Sequence, residues 1–587
     1  MEKSQQVYDR LMFVGSVTAL IALTLDYGYP THYWSHLLTD FFYLLFGSLF
    51  CLALYQLAAG NLSRGVFKGK GLYFVFGLSV ILVVLAGLNA INYLAFQSSQ
   101  LNLYVALLVF ILTLFDLSAR VYALERQTLH PGLVFAFSFL VLICIGTLLL
   151  MLPKATVSGI SFVDAFFTAT SAVCVTGLII LDTGEDFTRF GQIIILLLIQ
   201  FGGLGMLTFT NLFGLLFKGS GSFKNRLYLK NLINANTLGD TFKTLVQIII
   251  FTFLIEAIGA VLIYFNLDQH FPAYPEKVFF AVFHAISAFC NAGFSTLTNS
   301  LFESGFRYDY SFHLVVAVLI ILGGLGYGVV LNFYRYLKQI AAYWWALLTQ
   351  RKGRRRKVVK PILTANTRIV VYTTAILLIA GAVIFYLLEY DNTLAPHSEW
   401  GKIVTAFFGS VTTRTAGFNT VDTGALTLPT IMIVLFLMWI GASPGSTGGG
   451  IKTTTFAIAS MNIYQQAFGH DYIRFGWKRI QPKALQRATA IISLSLIMLG
   501  ISTFCLVSFD GHLGVLPIAF ECFSAFSTVG LSMGITADLS EPSKLVITLT
   551  MFVGRVGFLT LITGLVRQFV KYRHNPVDYP EEKILIN

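Results

Sequence analysis

Charge is what this chain has least of. Asp, Glu, Lys and Arg make up 12% of its 587 residues, whereas soluble domains carry about 25%. With 56% of residues hydrophobic and a mean hydropathy of +0.75, there is too little polar surface to face water on all sides, and the chain needs a bilayer as solvent. Cysteine is scarce and unpatterned. Cys51, Cys144, Cys174, Cys290, Cys505 and Cys522 lie in or beside apolar stretches, and none forms a C-x-x-C pair, which excludes the usual zinc and redox signatures. H-E-x-x-H, the metal motif of many membrane hydrolases, is absent; an integral-membrane enzyme such as a lipid-modifying transferase stays as the rival from another class. No cleavable signal peptide is evident, because no small-residue cleavage site separates the first apolar run from the next.

Long apolar runs are abundant. A spanning helix needs roughly 20 mostly apolar residues. Candidate spans fall near 11–25, 38–59, 71–96, 101–117, 132–152, 192–217, 243–266, 312–338, 368–389, 427–466, 487–509 and 543–568. The net charge of +12 sits between these runs, as topology signals do, so no nucleic-acid partner is expected. Arg64, Lys68 and Lys70, then Arg120 and Arg126, Lys218 to Lys230, Arg351 to Lys357, Lys478 to Arg487, and Lys571 and Arg573 all fall on one side of a twelve-span chain. The positive-inside rule puts that side, and both termini, in the cytoplasm. The Arg351–Lys357 run is either a solvated topology anchor or a contact for anionic lipid or a cytosolic partner.

The strongest signal is an internal repeat. Four segments share one pattern: Phe167 to Gly177, Phe283 to Gly293, Phe407 to Gly417 and Phe520 to Gly530, each with its phenylalanine ten residues before its glycine. A serine stands six before the glycine in three copies (Ser171, Ser287 and Ser524), where the third has Val411. Each copy reads as span, half-helix, glycine turn, span. A half-helix of about ten residues is only about 15 Å long and enters the membrane partway. Non-helical backbone at that depth is tolerated where protein buries it or where it lines a polar cavity. Four such turns can form a ring of backbone carbonyls, which replaces the hydration shell of a potassium ion. Glycine suits the turn because it reaches positive φ.

The segments Val175-Thr176-Gly177, Asn291-Ala292-Gly293, Thr415-Ala416-Gly417 and Thr528-Val529-Gly530 resemble the four filter segments of the Trk/Ktr/HKT superfamily of potassium transporters, in particular its TrkH/KtrB-like pore subunits. Gly441-Ala-Ser-Pro-Gly-Ser-Thr-Gly-Gly-Gly-Ile-Lys452 resembles that family's intramembrane gating loop. The resemblance covers about residues 130–570. It implies an all-α integral membrane fold of four tandem helix–pore-loop–helix repeats around a central pore, plus about four extra N-terminal transmembrane helices. The expected division is 1–128 for the extension, 129–230, 231–352, 353–478 and 479–570 for the repeats, and 571–587 for a cytoplasmic tail. It further implies potassium (K+) at the filter carbonyls as the transported ion, no covalently bound cofactor, assembly as a homodimer in a bacterial-type inner membrane, and a cytosolic RCK-type nucleotide-binding regulatory subunit. Members with serine at the first filter glycine tend to pass sodium, and Gly177 therefore favours potassium. The alternative is a sodium-passing or sodium-coupled cation transporter on the same fold.

The tenth span runs for roughly 40 residues, about 60 Å as one helix, twice the hydrocarbon thickness. It is expected to break at Gly441–Gly450, where Gly441, Gly445, Gly448, Gly449, Gly450 and Pro444 weaken any helix. The break is read as a gate across the path, with Ser446, Thr447 and Lys452 in it. Gly445 to Thr453 is a near miss for a phosphate-binding P-loop, but Ile451 separates glycine from Lys452 and a membrane span precedes it in place of a strand. Arg555 lies inside the last span; an intramembrane arginine faces a bundle interior or a watery cavity, and the resemblance makes it the partner of the loop. Arg414 is read as a brace for the third turn. Glu256 and Asp116 are either proton or sodium sites or satisfied structural carboxylates, and Asp182 and Asp422 either lend negative potential at the outer mouth or cap local turns.

Overall fold

The computed structural model describes residues 131–205, 241–267, 274–348 and 363–569 except 471 and 477, with short pieces between 14 and 112. Most of the N-terminal extension, the basic segments other than Lys478, Arg479, Lys483 and Arg487, Asp116 and the tail lie outside the described residues.

Four times the chain follows the same order of a helix, a shorter helix, a tight turn and a second helix. The first pass is α1 (Pro131–Leu150), α2 (Phe162–Cys174) and α3 (Arg189–Leu204). The second is α4 (Thr241–Asn266), α5 (Tyr274–Cys290), α6 (Tyr310–Leu325) and α7 (Tyr327–Leu348). The third is α8 (Ala365–Glu389), α9 (Glu399–Thr412), α10 (Leu428–Trp439) and α11 (Thr453–Ala467). A two-residue hairpin, β1 (Arg474–Phe475) with β2 (Lys478–Arg479), leads to α12 (Pro482–Asp510), α13 (Val515–Ser527), α14 (Glu541–Val556) and α15 (Phe558–Phe569).

The short helices α2, α5, α9 and α13 have 13, 17, 14 and 13 residues. Thirteen residues rise about 20 Å, short of the roughly 30 Å of hydrocarbon. Serine caps start two of them: Ser161 accepts from the Asp164 N–H and Ser398 from the Gly401 N–H, each satisfying one of the orphan donors of a helix N-terminus. The second helix of each pass packs against the short helix of the next: α3 on α5, α6 on α9, α10 on α13, and α14 back on α2. Lys544 of α14 and Asp164 of α2 close this circuit with a 2.8 Å ion pair.

Polarity is inverted relative to a soluble bundle. Thr176, Ser287, Asn291, Thr415, Ser524 and Thr528 are fully buried at the centre, whereas Ile250, Phe253, Ile376, Leu387, Ile501 and Phe504 stand exposed on the outer faces. Those faces suit lipid, since no apolar side chain gains by leaving hydrocarbon.

Among the described residues, Val246–Asn266, Ala365–Glu389 and Pro482–Leu513 are long and apolar enough to cross a membrane unbroken. Two runs expected as single spans, 312–338 and 543–568, are each bent instead. Tyr310–Leu325 meets the following helix at 103°, and Glu541–Val556 meets its successor at 81°. At each break stands a positive-φ glycine, Gly326 (φ 78°, ψ 145°) and Gly557 (φ 87°, ψ 117°), a backbone outside the helical range that glycine reaches without steric cost. Gly205 caps α3 in the same way at φ 76°.

Candidate functional site

The short helices point their C-terminal ends at a common centre, where the four glycine turns meet. A β-carbon on Gly177 would collide with the Ala292 carbonyl oxygen, one on Gly293 with that of Ala416, one on Gly417 with that of Val529, and one on Gly530 with that of Thr176. The contacts run from each turn to the next in chain order and close on the first. Only a residue without a side chain fits between backbones so close.

The turns are strained as well as crowded. The glycines have φ of 88°, 72°, 79° and 92°. Two residues earlier, Val175, Asn291, Thr415 and Thr528 are also left-handed, at 57°, 61°, 95° and 50°. Three of these are β-branched, for which positive φ is a genuine outlier costing about 1–3 kcal/mol each. A hydroxyl behind each turn holds it. Ser171 Oγ donates to the Leu178 carbonyl (2.7 Å) and accepts from the Gly177 N–H (3.1 Å). Ser287 donates to the Phe294 carbonyl at 2.7 Å, and Ser524 accepts from the Gly530 N–H at 3.0 Å.

The third copy uses a different residue. Val411 has no hydroxyl, and Thr412 Oγ1 donates to the Phe418 carbonyl at 2.6 Å. Its short helix is displaced by one residue relative to the glycine, so that the fully buried phenylalanine is Phe408, four before Thr412 as Phe167 is four before Ser171, while Phe407 is only partly buried. The ten-residue offset from Gly417 therefore falls on Phe407 and not on the buried Phe408, and the offset shared by the other copies gives no signal for Thr412. The third and second turns are joined side chain to side chain: the Asn291 amide oxygen accepts from Thr415 Oγ1 at 2.8 Å while its nitrogen donates to the Ala288 and Ile320 carbonyls, each at 3.1 Å.

On the short-helix side of this ring lies the segment between α10 and α11. The Gly449 N–H donates to Thr528 Oγ1 at 2.8 Å, and a β-carbon on Gly448 would press on Thr415. Thr447 Oγ1 donates to the Phe289 carbonyl at 3.4 Å, and the Ser443 N–H to the Gly324 carbonyl at 3.0 Å. Gly445 and Ser446 abut Gly326, and Ser446 Oγ returns to the Ser443 carbonyl at 2.6 Å. Gly441 and Gly450 pack against each other within a parallel bridge between Ile440 and Ile451. Lys452 Nζ donates to the Gly448 and Gly449 carbonyls at 2.5 and 3.4 Å. Arg555 donates to the Thr447 carbonyl and, at 2.6 Å, to the Gly202 carbonyl, with the Phe139 ring 5.9 Å away. One guanidinium thus ties the segment to α3. Arg414 donates to the Gly441 carbonyl at 3.3 Å, so it joins the third turn to the start of the segment.

Gly441-Ala-Ser443-Pro-Gly445 also has the G-x-S-x-G spacing of a nucleophile elbow, but Ser443 is fully buried and its hydroxyl partner is Thr453 at 3.3 Å, not an imidazole. The outer acidic residues cap turns. Asp182 Oδ1 accepts from the Gly184 and Glu185 N–H groups (2.7 and 3.1 Å), and Asp422 from the Gly424 N–H (2.9 Å). Burial pushes the Asp182 carboxyl above the ordinary carboxylate range, against the pull of those amides. Asp182 and Asp186 share a four-residue spacing, yet no group of three or more metal-ligating side chains stands together among the described residues. Glu256 is buried in α4, both its oxygens accepting from Gln200 Nε2 at 3.1 Å.

A bundle that is apolar outside, carries four re-entrant turns and gathers backbone carbonyls at its centre defines a multi-pass membrane protein built around an axis. The model of the cation transport protein (TrkH) family matches residues 104–570, and the chain belongs to that family. It is 36% identical to the potassium/sodium uptake protein NtpJ of Enterococcus hirae, over 78% of this chain and 98% of that protein. It is 35% identical to the Ktr system potassium uptake protein B of Vibrio alginolyticus, over 77% of this chain and 94% of that one. Its fold is similar to the crystal structure of the potassium transporter TrkH from Vibrio parahaemolyticus, with a TM-score of 0.60 at 18% identity, covering 85% and 98% of the two chains. The protein is a membrane cation transporter, which sets aside the enzyme alternative.

Proposed function

We propose that the chain takes up potassium through a gated, channel-like pore whose filter is the ring of Gly177, Gly293, Gly417 and Gly530. The observation that carries this is the closed circuit of backbone contacts among the four turns. Left-handed backbone at alternate residues turns successive carbonyls to one side of each strand, which supports a set of oxygens able to replace an ion's hydration shell. The converging short-helix C-termini add partial negative charge. The names of the Enterococcus and Vibrio relatives support potassium as the ion. Entry down the membrane potential gains about 2.3 kcal/mol per 100 mV, which sustains more than tenfold accumulation without a coupled ion.

In this reading Gly441–Lys452 is the gate and Arg555 its latch: their hydrogen bonds hold the segment across the inner end of the filter, and two cationic groups there oppose cation passage. The four repeats are 129–230, 231–352, 353–478 and 479–570, flanked by the extension 1–128 and the tail 571–587. The basic segments support cytoplasmic termini in a bacterial inner membrane. A homodimer regulated by an RCK-type nucleotide-binding subunit follows from the resemblance to Trk/Ktr pore subunits.

A second reading, passage of sodium or coupling to it, is favoured by the Enterococcus relative's being a potassium/sodium uptake protein. Growth of a potassium-uptake-deficient bacterium at limiting potassium, with the chain and its regulator expressed, tests the main reading. Rescue is expected; a well-expressed chain that gives none contradicts it.

A further inference from the structure

Two of the four copies carry a polar link that the other two lack. In copy two, His284 follows the buried Phe283 on α5, and Ser295 stands two residues beyond Gly293. His284 Nε2 and Ser295 Oγ are 2.9 Å apart. The other ring nitrogen, Nδ1, lies 2.9 Å from the Phe280 carbonyl. A carbonyl only accepts, so Nδ1 carries the proton and Nε2 accepts from the serine hydroxyl. Ser295 Oγ itself accepts from the Leu297 N–H at 3.0 Å.

Copy four repeats the relay with a different acceptor. Glu521 follows Phe520 on α13, and Ser532 stands two beyond Gly530. The Ser532 hydroxyl donates to Glu521 Oε1 and accepts from the Gly534 N–H at 2.9 Å. Thr536 Oγ1 adds a second contact to the same carboxyl oxygen at 3.1 Å. His284 and Glu521 are both fully buried. In copy one the matching pair is Thr168 and Ile179, and in copy three Gly409 and Asn419; the Thr168 hydroxyl makes no hydrogen bond.

The contact circuit runs one, two, three, four, so copies two and four face each other across the ring. Their strands are held at both ends: by Ser287 and Ser524 behind the turn, and by the His284–Ser295 and Glu521–Ser532 links beyond the glycine. Pinning two opposite strands fixes one diameter of the ring. A smaller cation needs carbonyls drawn closer, and a ring fixed across one diameter resists closing on it.

We propose that His284 and Glu521 are positioning residues which, through Ser295 and Ser532, hold the outer end of the filter open and set its preference for potassium over sodium. This rests on the pore reading above. The test is potassium and sodium flux through the full chain reconstituted with its regulator in lipid vesicles. Ser295→Ala and Ser532→Ala are expected to keep potassium flux and lower the potassium-to-sodium ratio by about five- to tenfold each, the worth of one buried hydrogen bond. Glu521→Gln retains an acceptor oxygen and keeps the wild-type ratio, whereas Glu521→Leu lowers it. Thr168→Ala, at the matched place without a link, leaves it unchanged. A wild type that carries no potassium sinks the pore reading itself. A wild type that carries potassium, with serine variants of unaltered ratio, overturns the links alone. So does a Thr168→Ala variant, or a Glu521→Gln variant, whose ratio falls as far as that of Ser532→Ala.

Discussion

Val175, Thr415 and Thr528 occupy backbone that β-branched residues avoid, and the hydroxyls of Ser171, Ser287, Ser524 and Thr412 are what keep the turns in that shape. Thr412 tests the effect simply, because its hydroxyl donates to the Phe418 carbonyl. Thr412→Val keeps the side-chain shape but leaves the buried Phe418 carbonyl without this donor, which costs about 1–3 kcal/mol. Thermal unfolding of the detergent-solubilised protein should show that loss, and rubidium uptake should fall with it; Thr412→Ser, which retains the hydroxyl, should match wild type. Equal behaviour of the two variants would contradict the assignment. The glycines and three of the hydroxyls were legible in the sequence because they recur at fixed offsets. Thr412 was not, because a one-residue shift of α9 against Gly417 moves both it and Phe408 out of the offset that the other copies share.

The second helix of each copy ends beside the tip of a short helix, and the ending differs in kind. In copies one, two and four the pattern is glycine, two residues, glycine: Gly202 to Gly205, Gly323 to Gly326 and Gly554 to Gly557. A β-carbon on the leading glycine would strike the carbonyl oxygen of Val173, Phe289 or Phe526 at the end of the copy's own short helix, and the trailing glycine ends the helix. Copy three has a full segment, Gly441–Lys452, in that place. Its break was legible because a helix of that length overshoots the membrane. The bends at Gly326 and Gly557 were not, since one glycine in an apolar run is compatible with a continuous helix. Arg555 occupies the position held by Gly203 and Gly324 in copies one and two, so the copy with arginine at this position supplies the tie to Thr447. Charge-assisted hydrogen bonds contribute about 1.5–3 kcal/mol each, enough to shift a closed–open equilibrium by about tenfold or more. Arg555→Ala is therefore expected to raise rubidium uptake by a similar factor at a given membrane potential. Flux unchanged at every voltage and in every regulator state would refute the latch.

At the scale of the molecule, four similar units close on themselves because each second helix packs on the next short helix, and the 2.8 Å Lys544–Asp164 pair joins the last to the first. This closure gives the irregular backbone of the four turns protein neighbours, since each turn packs on the next, as non-helical backbone at membrane depth requires. The number of units could be counted in the sequence, but their order around the ring could not, because offsets within a copy say nothing about contacts between copies. The ring is uneven in its side chains, with Val-Thr, Asn-Ala, Thr-Ala and Thr-Val before the glycines, so in the proposed filter discrimination among cations falls to the backbone oxygens. A side chain at Gly177 would intrude on the Ala292 carbonyl while adopting a φ of 88°. The direct measurement is the potassium-to-sodium flux ratio of the reconstituted full chain, wild type against Gly177→Ser. Strong preference for potassium in the wild type and its collapse in Gly177→Ser are the predicted result; a wild type indifferent to the two ions, or a variant with the wild-type ratio, would contradict the four-glycine filter.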